Sequence, residues 1–230
     1  RLETDSHKEV IYKISGRYLG FLIDSILVFI LFGIGVVMIS GSGSIFTQQF
    51  GMPQYVGIIL MTVLVLIAIL SNVDQVVKII ASITPFLIIG VVVLFVYSLA
   101  TKDYSFMELD ALAKEQPSAT GHWFTSVINY VSLAITMGAS MTLVMGGDES
   151  KERIASYGGM LGGIGVGILI VIHHLAILAK IDVVGDYDMP SLGLANHISP
   201  IFGVIYSIIL FGMIFNSAVS MFFSFCTRFF

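Results

Sequence analysis

Six stretches of the chain are nearly uninterrupted runs of apolar residues, at about 18–39, 55–70, 79–100, 123–145, 154–179 and 200–227. A bilayer core of about 30 Å takes roughly 20 apolar residues in a helix, so each run predicts a membrane span. The second is short and needs flanking residues or a thinner bilayer. The longest connection, 101–122, leaves no room for a soluble domain, so the chain reads as a single transmembrane domain over 1–230. Within that connection Phe106, Leu109, Leu112 and Ala113 recur at helical spacing between acidic residues. This predicts a short surface helix, with a solvated loop as the alternative.

Breakers qualify the pattern. Pro85 predicts a kink in the third span, Gly138 a weak point in the fourth, and Ser199-Pro200 the N-cap and first turn of the sixth. Gly41-Ser42-Gly43-Ser44 reads as an external turn, too short for a phosphate site. The run from Tyr157 to Gly167 holds overlapping GxxxG spacings and predicts close helix packing. It is no nucleotide loop, because no strand precedes it and an apolar helix follows.

Composition and charge narrow the class. Only 11% of residues are charged and the mean hydropathy is +0.97, against about 25% charged in soluble domains. A net charge of −4, with no dense run of Lys or Arg, argues against nucleic acid as a partner. Cys226 is the single cysteine, so neither an internal disulfide nor a cysteine-based zinc site is available. With the N-terminus inside, Arg1, Lys8, Lys13, Arg17, Lys78, Lys151, Arg153 and Arg228 are cytoplasmic, and Lys102, Lys114 and Lys180 external. That imbalance predicts a multi-pass protein with both visible ends cytoplasmic. The first residues lack the apolar core of a signal peptide, and the chain reads as a fragment cut at both ends.

Several polar residues lie in the apolar runs. Asp24 is the one acidic residue well inside a span, about 9 Å above its cytoplasmic end. It is either a carboxylate facing the aqueous interface or an ion- or proton-coupling group. The fourth span carries Asn129, Ser132, Thr136, Ser140 and Thr142, with Met137-Gly138-Ala139-Ser140 about two thirds of the way across. That segment can unwind to bind a ligand, or its small residues can serve packing alone. The sixth span has Asn216, Ser217 and Ser220 at a similar depth. His173 and His174 lie roughly 20 Å from Asp24 in depth and point about 100° apart, which suits packing or an interface better than a metal. A protonation switch is the other reading of this pair. Gly138-Ala139-Ser140 is part of a GxSG protease motif, but Met141 replaces the second glycine and His173 is far away in depth. The chain is therefore not expected to be an enzyme, and it calls for no organic cofactor.

Three segments carry a resemblance: Ser6-His7-Lys8-Glu9-Val10-Ile11-Tyr12, Val37-Met38-Ile39-Ser40-Gly41-Ser42-Gly43, and Leu194-Ala195-Asn196-His197-Ile198-Ser199-Pro200-Ile201-Phe202-Gly203. They are similar to segments of the YkvI family of bacterial membrane proteins, relatives of the amino acid–polyamine–organocation transporters with a LeuT-like fold. The resemblance implies an all-α membrane protein, a partial LeuT-like bundle whose six spans correspond to helices three to eight of that fold. It implies a bacterial cytoplasmic membrane location and a secondary transporter for a small solute, an amino acid or a related amine or organic ion. Under it Met137, Gly138, Ala139 and Ser140 inherit a helix break and, with Asn129, Thr136 and Asn216, bind substrate. Ser217 and Ser220 become candidates for a sodium ion, or Asp24 for a coupling proton. Lacking the first broken helix, the fragment is expected not to transport alone. A receptor or sensor on the same scaffold is the competing class, and a structural membrane protein the third; substrate and oligomeric state stay open.

Overall fold

The computed structural model describes residues 7–70, 84–117, 120–148 and 151–226. Among them the ordered elements are all helical: α1 (His7–Phe50), α2 (Gln54–Leu70), α3 (Thr84–Ala100), α4 (Phe106–Glu115), α5 (Trp123–Asp148), α6 (Glu152–Leu178), α7 (Ile181–Val184), α8 (Pro190–Ile198) and α9 (Pro200–Cys226). Three stretches, Ile11–Phe50, Glu152–Leu178 and Pro200–Phe223, are long and apolar enough to cross a membrane. Gln54–Leu70, Thr84–Ala100 and Trp123–Thr136 are shorter apolar helices. Large hydrophobic side chains stand outward on these helices, among them Phe29, Leu70, Val96, Val171 and Ile201. Such a surface suits lipid rather than water, and the chain is an all-helical membrane protein.

The chain divides into two compact units, one of Arg1–Gly35, Ser118–Gly165 and Ser220–Phe230, the other of Val36–Pro117 and Val166–Val219. In the first, Phe32 meets Phe222 edge-on at 5.9 Å and Phe225 at 5.3 Å. Gly35 lies against the Phe222 ring, where a Cβ would stand 2.7 Å from the nearest ring carbon. The second unit holds a core of Ile45, Leu94, Val184, Leu192, Leu194 and Tyr206. Tyr206 fills the space beside Gly90 of α3, 3.0 Å from where a Cβ would stand.

The external turn expected at Gly41-Ser42-Gly43-Ser44 is not a turn. α1 runs through it to Phe50 and ends where Gly51 takes a left-handed φ of 63° and Pro53 follows. The small residues serve a helix crossing instead. Ser42 Oγ donates to Ile39 O at 2.6 Å or across to Gly57 O of α2 at 3.0 Å. A Cβ on Gly57 would stand 2.5 Å from Ser42 O and 3.0 Å from Gly43 Cα, and one on Gly43 would collide with Gln54. Small residues let backbones approach, and the shared hydroxyl satisfies a carbonyl there.

The GxxxG packing expected in α6 is likewise not made. Among the described residues nothing lies within 4 Å of a Cβ placed on Gly158, Gly159, Gly162, Gly163, Gly165 or Gly167. The close approach falls at Gly43 and Gly57 because a polar hydroxyl and a partner glycine meet there, whereas none of the described residues faces the glycines of the α6 run. Pro85 is the second residue of the described α3, where its missing N–H leaves no helical bond unmade. The turns before it, and with them the expected kink, lie outside the described residues.

Two local expectations hold. Ser199 is extended, at φ −165° and ψ 139°, and its carbonyl accepts from Gly203 N at 2.9 Å, so α9 starts at Pro200. The connection 101–122 forms α4 behind a capping box: Ser105 N and Oγ both donate to Glu108 Oε2 at 2.8 Å, and Glu108 N returns to Ser105 Oγ. Leu109 is buried where α4 packs on α7.

The glycine geometry makes a paired prediction. Gly57→Val should destabilise the folded protein in detergent by about 1–3 kcal/mol through overpacking, whereas Gly138→Ala, with nothing within 4 Å, should be neutral or raise stability by up to about 1 kcal/mol. Equal midpoints for the two variants in thermal melts would contradict this crossing.

A second prediction concerns α4. The Ser105 N–H and hydroxyl hold the Glu108 carboxyl below its ordinary 4.5. A lowered native value contributes stability above the unfolded value and loses it as pH falls through the native one. Fraying of the α4 N-terminus should therefore begin below about pH 4.5. In Ser105→Ala the Glu108 titration, followed by carboxyl carbon shifts, should move back up toward the ordinary value.

Candidate functional site

α5 is a single helix from Trp123 to Asp148. The break expected at Met137 to Ser140 is absent from this structure: a lone glycine in a helix lowers its stability by only about 1 kcal/mol and does not open it. Thr136 Oγ1 donates to Ser132 O at 2.7 Å within the same helix. The side chains of Met137, Ala139 and Ser140 lie outside the described residues. The intact backbone aligns Asn129, Ser132, Thr136 and Ser140 at steps of three and four, which is one face of the helix. Asn129 and Ser132 are exposed, Thr136 and Gly138 half-buried. The candidate residues thus form a polar stripe along a continuous helix, and recognition there falls to side chains rather than to freed backbone groups.

Asp24 is half-buried on α1, and its Oδ1 is shielded from solvent. Asn216, Ser217 and Ser220 are half-buried on α9. Ser220 follows Asn216 by four residues and Ser217 by three, so the three share one sector of the helix. Asp24, Asn129, Thr136, Gly138 and Ser220 belong to the first unit, Asn216 and Ser217 to the second. Hydroxyls are the hard oxygen donors that sodium takes, so Ser217 and Ser220 fit such an ion in kind. Two neutral oxygens supply only part of a hard cation's shell. His173 is half-buried with Nδ1 shielded and, among the described residues, without a hydrogen-bond partner; His174 is exposed.

Other polar contacts escaped the sequence pattern. At the end of α1, Gln48 pairs both amide atoms with the Met189 backbone: Nε2 donates to Met189 O, and Oε1 accepts from Met189 N, each at 3.0 Å. The next residue, Gln49, accepts from Asn196 Nδ2 at 2.7 Å. Asn196 rests on Gly203, where any Cβ would collide with its Oδ1. These amides clamp α8 between the end of α1 and the first turn of α9. Lys180, 3% exposed, donates to Thr101 O and, at 3.0 Å, to Asp103 Oδ2. It ties the segment after α3 to the segment after α6. The only sequence signals were two glutamines closing an apolar run and an isolated lysine closing another.

Apolar helices with outward hydrophobic faces and a few inward polar groups define a helical membrane protein. The chain is 25% identical over 219 residues to the uncharacterized membrane protein YkvI of Bacillus subtilis (strain 168), an alignment covering 95% of this chain and 61% of that protein. The chain therefore spans less than two thirds of that relative's length. No family model matches the chain, and no solved structure does.

The Lys180 pair makes an asymmetric prediction, because its carboxylate is 74% exposed while its ammonium side chain is 4% exposed. Asp103→Ala leaves a buried ammonium with the Thr101 carbonyl alone and should cost about 1.5–3 kcal/mol, the range for a hydrogen bond to a charged group. Lys180→Met leaves a solvated carboxylate and should cost less. Denaturation in mild detergent should rank the two in that order, and the reverse order would remove the pair from the account.

Proposed function

We propose that the chain is the membrane-embedded part of a secondary transporter for a small solute, an amino acid or a related amine or organic ion, working by alternating access. The observation that carries this reading is the placement of polar side chains in otherwise apolar helices: the shielded carboxylate of Asp24, the stripe Asn129, Ser132 and Thr136, and the group Asn216, Ser217 and Ser220. Polar residues at membrane depth are expensive and mark pathways for solutes and ions. The likeness to YkvI, an uncharacterized membrane protein, supports the membrane location that this reading requires. In this reading six helices span the membrane as the counterparts of helices three to eight of a LeuT-like scaffold, with both visible ends in the bacterial cytoplasm.

Substrate meets the α5 stripe, including the helical segment Met137, Gly138, Ala139 and Ser140, with Asn216 of α9 as a separate candidate contact. Sodium is the favoured coupling ion, since Ser217 and Ser220 offer neutral hard oxygens on one sector of α9. Asp24 is the alternative coupling group, a carboxylate with a shielded oxygen set in an apolar helix.

Uptake of labelled amino acids and amines into proteoliposomes carrying the full-length protein tests the reading. Ser217→Ala with Ser220→Ala should weaken sodium dependence, while Asp24→Asn should leave it intact. In the same vesicles a thiol at Asp186, in a Cys226→Ser background, should react from the external side. Ligand binding without flux would make the protein a receptor instead, and pH-driven uptake that ignores sodium would transfer the coupling role to Asp24.

A further inference from the structure

The segment His7–Ser15 is set off from the rest of α1 by Gly16, whose φ of 74° and ψ of 179° belong to a backbone region that essentially only glycine occupies. The helix folds back at this joint. A Cβ on Gly20 would stand 3.1 Å from Tyr12 Cα and 3.2 Å from Tyr12 Cγ, whereas residues eight apart on a straight helix are separated by about 12 Å. Tyr12 therefore packs onto the first turns of the long helix and buries Gly20. The segment cannot continue the helix axis outward, and it turns aside at the end of an apolar span.

The side chains around the joint have two characters. Lys13 and Arg17 are exposed, and beside them Ile14 is 75% and Tyr18 90% exposed. Glu9 lies four residues before Lys13 and can offset part of its charge, whereas no acidic residue lies within four positions of Arg17. Open water would favour the cations and disfavour the isoleucine; the bilayer interior would do the reverse. The headgroup layer accepts both, with apolar groups toward the acyl boundary and long basic chains reaching phosphates.

We propose that His7–Ser15, hinged at Gly16, is a membrane-surface element that binds anionic lipid headgroups through Lys13 and Arg17 while Ile14 and Tyr18 enter the interface. The inference rests on the chain's membrane location alone and is independent of the transport reading and of its orientation. A basic residue near an anionic surface contributes about a fivefold preference, which salt screens.

The test places an environment-sensitive fluorophore at Ile14→Cys in the full-length chain with Cys226→Ser. The protein is compared in nanodiscs of phosphatidylcholine and of phosphatidylcholine mixed with phosphatidylglycerol. Anionic lipid should shift the emission to the blue, increase quenching by nitroxide lipids and shield the probe from iodide, and high salt should reverse the increment. Lys13→Gln and Arg17→Gln should each reduce the anionic preference about fivefold, and Gly16→Ala should release the probe toward water by straining the joint. Equal quenching in the two lipids, or an anionic preference that survives in the Lys13→Gln, Arg17→Gln double variant, would overturn the proposal. The lipid comparison on the unaltered basic residues decides it even where a variant fails to fold.

Discussion

The approach of α1 to α2 at Ser42, Gly43 and Gly57 is the contact on which the second unit depends. In a bilayer the backbone must satisfy itself, so helices gain little from a hydrophobic drive and associate through packing and shared hydrogen bonds. Ser42 provides both, since its hydroxyl can reach Ile39 O in its own helix and Gly57 O in the neighbour. The absent side chains of Gly43 and Gly57 set the separation. Because α1 continues past this crossing, its last turns carry Gln48 and Gln49 to α8, where they meet Met189 and Asn196. Asn196 in turn needs the bare backbone of Gly203 on α9. Tight glycine contacts and amide pairs thus alternate from α1 through α8 to α9, and the core around Leu192, Leu194 and Tyr206 is held between them.

The class of protein was legible in the apolar runs, α4 in the spacing of Phe106, Leu109, Leu112 and Ala113, and the start of α9 in Ser199 with Pro200, a local signal that acts within one helical turn. The role of the small residues was not. Gly41-Ser42-Gly43-Ser44 has the composition of a turn, and only a facing glycine on α2 makes it a crossing. The α6 run has the composition of a crossing, and no described residue faces it. A glycine declares that a Cβ is unwelcome or unnecessary, and the pattern along one chain does not say which. Two of the segments that resemble the YkvI family, Val37–Gly43 and Leu194–Gly203, end in such close joints.

The candidate site changes character for the same reason. A break at Gly138 would have offered carbonyls and amides to a ligand, but a continuous α5 keeps them for its own ladder. What remains is a stripe of short polar side chains, whose recognition is directional and weaker per group than an exposed helix end carrying its dipole. The continuous helix reveals the stripe; the small residues and the family resemblance suggested the break.

The two units differ in how firmly their parts are held. In the second, Lys180, Gln48 and Asn196 lock connections by buried or half-buried polar bonds whose loss leaves a polar group unpaired in an apolar setting. In the first, most described side chains of α5 are exposed, and the glycines of α6 present no side-chain ridges. Ridges fitting grooves fix helix crossings, and a surface without ridges slides or tilts at little cost. Among the described residues, α5 and the first half of α6 are thus the less firmly held helices, and they carry the polar stripe and the smooth glycine face. Within the second unit the amide clamp and the Ser42 crossing resist rearrangement, since moving them means breaking hydrogen bonds that lipid does not replace.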